Sequence, residues 1–388
     1  MDAGIKPVLI VGAGPVGAVC ALAMRQHGID AHVLEAQPAD ARADTRTLAL
    51  SYGSRLILDR LGVWDTLEDV TPIARIHISQ RGALGMARLS AAAIKVPALG
   101  YVLPYATLTA ALKRALHDAE IAVDYAVEVA HIESDAACAA LRTAAGDTLA
   151  APMVIVADGG RSGHGKSAPA APDPKISRDY DQVAVVCEVQ TELPHANQAF
   201  ERFTPEGPAA LLPKGDRYAL VWTASTADAQ RIAAFPDAEF LAALYRHFGG
   251  RQGRFLSASP RKTFPLKLAC AGSEANARVV RIGNAAQTLH PVAGQGFNIG
   301  LRDAWELASL CGDTPVGALG SPAMLAAYAR GRRVDVLGGV GFTDFLVRVF
   351  SNDIALLRHA RGLGLLALEA FPPLKGFVAR RMIFGARG

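Results

Sequence analysis

Glycines near the N-terminus follow the spacing that binds dinucleotides. Gly12, Gly14 and Gly17 form a Gly-x-Gly-x-x-Gly motif, and Glu35 lies 18 residues beyond its last glycine. In such a motif the first glycine makes a tight turn, the second lets the backbone approach a pyrophosphate, and the third lets a helix pack closely on a strand. A carboxylate at Glu35 can accept hydrogen bonds from both ribose hydroxyls of an adenosine. The motif therefore predicts a dinucleotide site, and both NAD and FAD fit it.

A second glycine-rich loop, Gly283 to Asn298, follows a β-branched run and precedes a helical pattern. Gly294 and Gly296 free the backbone to approach a flat or anionic group, and Asn298 can cap the helix. A loop that opens a helix turns unpaired N–H groups and the positive end of the helix dipole toward a ligand. An ordinary strand-to-helix connection is the alternative, but the density of glycine, proline and asparagine favours a ligand loop.

A third loop follows the apolar run Met153 to Ala157 and contains Asp158 and Gly159. A strand that is apolar throughout is typical of a parallel sheet covered on both faces. Because the carboxyl ends of parallel strands near a switch point share one crevice, we expect the three loops to lie together. One extended dinucleotide would use all three loops, whereas NAD in a two-unit Rossmann domain would not need the third.

Arg46 follows the predicted ribose-binding strand closely enough to reach the cofactor. Its guanidinium can contact the phosphates or, if the dinucleotide is a flavin, the isoalloxazine side. The alternative interpretation is a surface arginine that precedes the helix predicted to end at Leu61.

The N-terminal motif needs a βαβ unit to position it, and the sequence predicts one. Val8 to Val11 is a buried strand, Ala18 to His27 a helix of small residues, and Ala31 to Leu34 a second strand. This is the first unit of a Rossmann-like fold, with the glycines at the turn between strand and helix.

The rest of the chain predicts a second sheet and a helical end. Alternating apolar and polar residues at 73–89 and 183–223 predict mostly antiparallel strands, and residues 167–174 read as a linker. Residues 331–388 have a helical period with breaks at Gly338-Gly339, Gly362 and Pro372-Pro373. The predicted fold class is α/β, with a Rossmann-like cofactor domain, an inserted mostly antiparallel substrate sheet and a helical C-terminal region. The predicted boundaries are 1–72, 98–175 and 276–330 for the cofactor domain, 73–97 and 176–275 for the substrate domain, and 331–388 for the helical region.

Composition excludes several classes of protein. The 388 residues are 51% apolar and 20% charged, as in soluble globular proteins. The five cysteines lack Cys-x-x-Cys spacing, so the sequence predicts no zinc site and no disulfide framework. The first strand begins too early for a signal peptide, and apolar runs stay shorter than the roughly 18 residues of a membrane span. We therefore expect a cytoplasmic protein.

Positive charge is concentrated at the C-terminal end. Of the net charge of +4, residues 330–388 carry +6 and the preceding residues −2. The small excess, without interleaved aromatic residues, does not predict nucleic-acid binding. Arg380 and Arg381 are flanked by apolar residues, including Phe377, and one hypothesis is that this region docks peripherally on an anionic membrane or on a lipid-binding partner. The alternative is a solvated helical face.

The order of these motifs resembles a known family. Gly-x-Gly-x-x-Gly is followed by Asp158-Gly159-x-x-Ser162, by Gly283 to Ala286, and by Pro291 with Gly294 to Asn298. This order is similar to that of the class A flavoprotein aromatic hydroxylases of p-hydroxybenzoate hydroxylase type. Within that family the chain most resembles the ubiquinone-biosynthesis hydroxylases, in particular those acting on a 2-polyprenyl-6-methoxyphenol. The resemblance spans nearly the whole chain and includes Phe200 to Thr204.

The resemblance implies FAD as cofactor, NAD(P)H as a transient co-substrate, and O2. It implies hydroxylation of a polyprenylated phenol through a flavin C4a-hydroperoxide. Glu35 would hold the adenosine ribose, and Asp158 with Gly159 would lie beside the pyrophosphate and touch NAD(P)H. Asn284 stands near the ribityl chain, where relatives more often have Asp. The loop Pro291 to Asn298, which includes Gln295 and Phe297, would follow the pyrimidine edge of the flavin, where its N–H groups can stabilise negative charge.

Some assignments stay open. The best single candidate for a catalytic base is His290, and a neutral histidine hydrogen-bonded within the loop is the alternative. Relatives often place Arg or Gln in the helix that here reads Thr107 to Ala111, so a polar pyrophosphate contact from that helix is in doubt. Gln287 replaces a histidine common in the wider superfamily, and we assign it no catalytic role. A hydroxylase of another phenol, or a flavin-binding member of a biosynthetic complex without catalysis, are the alternative functions.

Overall fold

The computed structural model describes residues 7–42, 44–82, 85–160, 176–270, 278–288, 295–350 and 355–385. The predicted linker at 167–174 lies outside these residues. The helices are α1 (Pro15–Gln26), α2 (Tyr52–Arg60), α3 (Tyr105–Asp118), α4 (Thr226–Ala234), α5 (Asp237–Phe248), α6 (Gln295–Gly312), α7 (Pro322–Phe350), α8 (Ala355–Ala370) and α9 (Pro372–Phe384). The strands are β1 (Val8–Val11), β2 (Ala31–Glu35), β3 (Thr47–Ser51), β4 (Thr71–Ile73), β5 (Arg75–Gln80), β6 (Met86–Ser90), β7 (Gly100–Pro104), β8 (Ala122–Tyr125), β9 (Val129–Ser134), β10 (Ala139–Thr143), β11 (Thr148–Ala151), β12 (Val154–Val156), β13 (Ile176–Thr191), β14 (Gln198–Thr204), β15 (Gly207–Lys214), β16 (Arg217–Ser225), β17 (Phe255–Ala258), β18 (Lys262–Cys270), β19 (Val279–Arg281) and β20 (Gln287–Thr288).

A parallel sheet carries the three predicted loops. Its strand order is β19-β12-β1-β2-β8, with every neighbouring pair parallel. Val8 and Ile10 of β1 face the core shared with α1, α3 and α6, while Leu9 and Val11 face the antiparallel strands β9, β10 and β11. Both faces are therefore covered, which explains why β1 and β12 are apolar throughout. The predicted βαβ unit is confirmed, and α1 begins at Pro15, a favoured first residue of a helix.

A larger sheet has the order β20-β18-β13-β16-β15-β14-β5-β6, with β17 beside β13. Its pairs are antiparallel except for β14 with β5. One face packs against α4 and α5, as the apolar cluster around Leu211, Leu220 and Phe240 shows. The opposite face meets the small sheet β3-β7-β4 and the C-terminal helices. The α/β fold class with a mostly antiparallel second sheet is confirmed, whereas the exact domain boundaries stay a prediction.

Two predicted helix breaks are wrong. Helix α7 runs through Gly338 and Gly339, and α8 contains Gly362. A glycine inside a helix costs only about 1 kcal/mol, which close packing can offset. A Cβ on Gly339 would lie 2.4 Å from Cδ1 of Ile299, and one on Gly85 would lie 2.4 Å from the carbonyl oxygen of Gly362. These glycines serve close packing between elements. The predicted break at Pro372 is confirmed, because α9 begins there.

Two smaller expectations also change. Thr47 to Ser51, which precede the helix predicted to end at Leu61, form strand β3, and helix α4 lies where the sequence predicts no helix. Within the described residues no single helix is long and apolar enough to cross a membrane. Residues His359–Ala370 and Pro372–Phe384 meet that criterion only when taken together, and they are bent by 98° at their junction.

Candidate functional site

Two glycines of the first motif hold β1, α1 and β12 in close contact. Gly12 has φ of +104°, and a Cβ there would lie 2.7 Å from the carbonyl oxygen of Ala157. A Cβ on Gly17 would lie 2.0 Å from the carbonyl oxygen of Gly12. At Gly14, by contrast, the nearest atom would be the hydroxyl of Tyr105 at 3.9 Å. Gly12 and Gly17 are thus required by packing, while Gly14 borders open space at the start of α1.

The start of α1 and the end of β2 form the adenosine end of the candidate site. Gly14 precedes α1 without a side-chain cap, so the first N–H groups of the helix remain available to an anion. Glu35 is fixed by the backbone, since its Oε2 accepts from the N–H of Ala13 at 2.6 Å and its Oε1 accepts from the N–H of Gln37 at 2.9 Å. Each carboxylate oxygen can accept one more hydrogen bond, as two ribose hydroxyls require.

Arg46 lies beside the same open space. Its Nε donates to Oδ2 of Asp44 at 2.7 Å, and its guanidinium carbon lies 5.2 Å from the centre of the Tyr105 ring. Because the Tyr105 hydroxyl is the atom nearest to Gly14, this stack brings Arg46 toward the glycine motif. Tyr105 is the first residue of α3, so this helix does offer a polar group where the sequence left one in doubt.

The loop that follows β12 contacts the loop that follows β19. Asp158 follows β12, and its Oδ1 accepts from the N–H of Gly160 at 3.0 Å. A Cβ on Gly160 would lie 3.2 Å from the carbonyl oxygen of Asn284, whose own side chain is exposed. Gly159 has φ of +76° and meets no atom within 4 Å at its Cβ position. The loops after β12 and β19 therefore adjoin, with Asp158, Gly159 and Asn284 at one edge of the parallel sheet.

Asn298 lies inside α6, so the prediction that it caps this helix is wrong. The helix begins three residues earlier, at Gln295. The buried side chain of Asn298 instead accepts from the N–H of Ser51 at 2.7 Å and from the hydroxyl of Ser54 at 2.7 Å. Its Nδ2 donates to the carbonyl oxygen of Ala49 at 3.1 Å. Asn298 thus fastens the first turn of α6 to β3 and α2, and nothing local in the sequence indicates these partners.

We expect Asn298→Ala to lower the free energy of unfolding by about 3 kcal/mol, because it removes three hydrogen bonds and leaves the N–H of Ser51 and the carbonyl of Ala49 without this partner. Urea denaturation followed by circular dichroism measures this loss. Asn284→Ala is the matched control for stability, since the Asn284 side chain is exposed. Equal stability of the two variants would contradict the structural role of Asn298.

The remaining predicted residues of the loop Gly283 to Asn298 either contact other elements or lie outside the described residues. The side chain of Gln295 is buried and donates to the carbonyl oxygen of Met382 at 3.3 Å, so it ties α6 to α9. Phe297 packs partly against the core of the parallel sheet, and Gly296 is half-buried in the first turn of α6. His290, Pro291 and Gly294 lie outside the described residues.

A buried network of charged residues, which the sequence does not predict, supports the loop after β19. Asp303 of α6 accepts from the N–H of Gly283 at 3.1 Å, from Nε2 of Gln287 at 2.6 Å and from Nε of Arg332 at 2.7 Å. Burial opposes the charge on Arg332, but the carboxylate of Asp303, with Glu306 and Asp335, outweighs burial and raises the pKa of the guanidinium. The hydrogen bond to Asp303 therefore explains the buried position of Gln287.

Comparison with known proteins agrees with this arrangement. A family profile described as FAD binding domain matches residues 6–336. The chain is 35% identical to the ubiquinone hydroxylase UbiL of Rhodospirillum rubrum, over 97% of this chain and 89% of that protein. It is 32% identical to the 3-demethoxyubiquinol 3-hydroxylase of Escherichia coli, over 95% of this chain and 96% of that protein.

Solved structures share the fold. The p-nitrophenol 4-monooxygenase PnpA from Pseudomonas putida has a TM-score of 0.76 at 19% identity, over 99% of each chain. HpxO of Klebsiella pneumoniae, solved in complex with FAD and uric acid, has a TM-score of 0.74 at 19% identity, over 100% of this chain and 99% of HpxO. At this level of identity the likeness concerns the fold alone.

Proposed function

This chain belongs to the FAD-dependent monooxygenase family that shares the FAD binding domain, and we propose that it hydroxylates a polyprenylated phenol of ubiquinone biosynthesis, with NAD(P)H and O2. The observation that carries the substrate proposal is similarity over almost the full length to a ubiquinone hydroxylase, at 35% identity. The inserted sheet is included in that similarity, and it is the part of the chain that we assign to the substrate.

The described residues fit FAD. The open space at Gly14 and the uncapped start of α1 suit a pyrophosphate, and Glu35 suits the adenosine ribose. Asp158 and Asn284 would border the middle of the cofactor, and the first-turn N–H groups of α6 would face its flavin end. Bound FAD supplies the redox chemistry. The protein binds the cofactor, orients the phenol and keeps water away from the reacting ring.

A visible spectrum and an NAD(P)H assay test this function. We expect purified protein to be yellow, with flavin absorbance at about 450 nm, and to oxidise NAD(P)H faster when a prenylated phenol is added. The hydroxylated product would be identified by mass spectrometry. Yellow protein that oxidises no NAD(P)H with any phenol would instead favour the role of a non-catalytic member of a complex.

We also propose that the start of α9 contacts the surface of an anionic membrane, where a polyprenyl substrate resides. Phe371 immediately precedes α9, and Leu374 and Phe377 lie one turn apart near its start; their exposed fractions are 62%, 46% and 65%. Exposed Arg380 lies one turn beyond Phe377, so the stripe winds partly around the helix. An apolar stripe that ends in arginine suits acyl chains beside anionic headgroups.

Co-sedimentation with phosphatidylglycerol vesicles tests the membrane contact. We expect Phe371→Asp with Phe377→Asp to lower the bound fraction severalfold, because two exposed apolar side chains are replaced by anions. Leu256→Asp is the control, since Leu256 is also 48% exposed but lies in β17. Truncation of α9 would be unsuitable, as Ala379 and Ile383 are buried. Equal sedimentation of all three proteins would reject this contact.

A further inference from the structure

Glu201 is a carboxyl on the inner face of the larger sheet. Side chains of β14 alternate between the two faces. Phe200 belongs to the cluster under α4 and α5, and Arg202 donates to the carbonyl oxygen of His247 in α5 at 2.7 Å. Ala199 and Phe203 belong to clusters on the opposite side. Glu201 therefore points away from α5, toward the small sheet and the C-terminal helices.

The apolar neighbours of Glu201 on this face are incompletely covered. Ile78 of β5 and Ala210 of β15 are its register partners, and Val221 of β16 is the partner of Ala210. All of them are half-buried, as is Glu201 itself. Apolar side chains at the centre of a sheet are normally covered by the layer packed on it. Their partial exposure here marks a recess with an apolar floor and one carboxyl.

The recess lies next to the candidate flavin site. Ala199, two residues or about 7 Å before Glu201 along the strand, packs against Val102 of β7. Val102 is the register partner of Ala49 in β3, whose carbonyl accepts from Asn298 in the first turn of α6. At the other end, Phe203 packs against Leu365 of α8. Glu201 thus faces the space between the larger sheet, the start of α6 and the C-terminal helices.

Glu201 has no hydrogen bond or ion pair with any residue in the described ranges, and burial alone raises its pKa to about 8. Its nearest neighbours on this face are apolar: Ile78 of β5, Ala210 of β15 and Val221 of β16, with Val102 of β7 and Leu365 of α8 further along. Gln80 of β5 and Thr223 of β16, each two residues along its strand from these neighbours, are buried polar side chains on the same face, and neither is hydrogen-bonded to Glu201. The closest charged residue along the strand, Arg202, is on the other face. A carboxyl without a partner in an apolar recess is costly for a fold, so it points to a ligand that supplies the missing hydrogen bond.

We propose that Glu201 is a catalytic residue that binds the phenolic hydroxyl of the substrate and accepts its proton. This inference rests on the proposed function. The phenolic O–H bond breaks, a carboxyl O–H bond forms at Glu201, and the electron pair stays on the phenolic oxygen, so nothing is oxidised or reduced in this step. The proton returns to the same oxygen after the ring has been hydroxylated. The resulting phenolate directs electron density into the ring, as attack by an electrophilic oxygen requires.

The role requires the ionised carboxylate, which fixes the direction of the pH dependence. Below pH 8 Glu201 is mainly protonated in the free protein, and a phenol with an ordinary pKa of about 10 is neutral. Binding of the phenol to the ionised carboxylate must therefore release a proton to the buffer. The kcat/KM for the phenol should rise with pH through the pKa of Glu201 in the free protein, because the ionised form that accepts the phenol becomes populated.

Glu201→Gln is the decisive variant, since glutamine keeps the shape and cannot take the proton. We expect kcat for the prenylated phenol to fall at least about 100-fold, with flavin content retained and the rise of kcat/KM with pH lost. Calorimetry in buffers of different ionisation enthalpy, with 2-methoxyphenol as probe, should show release of about one proton per phenol bound to the native protein at pH 7 and none for the variant. Glu206→Gln is the control, because Glu206 lies in the same hairpin but pairs with Arg81 at the surface.

The outcomes separate the two proposals. A Glu201→Gln variant that keeps the native rate and proton release overturns the role of Glu201 while leaving the hydroxylase intact. The same follows if His290→Gln, and not Glu201→Gln, abolishes proton release. Native protein that consumes no NAD(P)H with any phenol rejects the proposed function itself and the role of Glu201 with it.

Discussion

Replacing Arg332 with alanine is expected to lower the free energy of unfolding by about 3–5 kcal/mol and to release bound flavin, although Arg332 is not among the residues predicted to touch the cofactor. Only 1% of the Arg332 side chain is exposed. It donates to Asp303 at 2.7 Å and to Glu306 at 3.1 Å, and it pairs with Asp335 at 2.9 Å. Without it, these carboxylates remain in the interior with too little positive charge.

The effect on flavin follows from the second role of Asp303. This carboxylate also accepts from the N–H of Gly283 and from Gln287, so it fixes the loop after β19. Once Arg332 is gone, Asp303 is expected to take up a proton or to move, and either change loosens the loop. The expected loss therefore combines lower stability with a lower flavin-to-protein ratio.

Chemical denaturation and the absorbance ratio of flavin to protein measure both effects. Arg333→Ala is the matched control, because the neighbouring Arg333 is exposed, and it should change the free energy of unfolding by less than about 0.5 kcal/mol. If Arg332→Ala is as stable as Arg333→Ala and keeps its flavin, the network has no supporting role for this loop.

Alanine at Gly17 is expected to disrupt folding, whereas alanine at Gly14 is expected to weaken FAD binding. A Cβ at position 17 would lie 2.0 Å from the Gly12 carbonyl oxygen, so α1 must move away from the end of β1. We expect Gly17→Ala to lose more than about 4 kcal/mol of stability and to accumulate as insoluble protein. At position 14 a Cβ has free space, and the backbone has φ of −62° and ψ of 171°, which alanine adopts readily.

Gly14→Ala should therefore fold and yet bind FAD at least about tenfold more weakly, a loss of ~1.4 kcal/mol, because the methyl group occupies the space proposed for the pyrophosphate. Quenching of FAD fluorescence on re-addition to flavin-free protein measures the affinity, and urea denaturation measures the stability. Gly28→Ala controls for glycine replacement outside the motif: a Cβ there meets no atom within 4 Å, although its φ of +73° costs some stability. Unchanged FAD affinity in Gly14→Ala would place the pyrophosphate elsewhere.

Much of the fold was predictable because its signals are local. The βαβ unit is visible in the spacing of Gly12, Gly14 and Gly17 and in the apolar strands beside them. The α/β fold class likewise follows from apolar strands and helical periods that neighbouring residues define. The predicted helix breaks at the glycines inside α7 and α8 are wrong, because the residues that pack closely against these glycines lie far away in the chain.

The sequence by itself determined the fold class, the three loops at strand ends and the family, since glycine spacing and apolar periodicity are properties of neighbouring residues. Only the tertiary structure decided what several polar residues do. Asn298 is hydrogen-bonded to Ser51, which lies 247 positions away in the chain, and Asp303 is hydrogen-bonded to Arg332, which lies 29 positions away. The position of Glu201 in an uncovered recess depends on which face of β14 meets α5, and alternation along a strand cannot distinguish the two faces until both layers have packed.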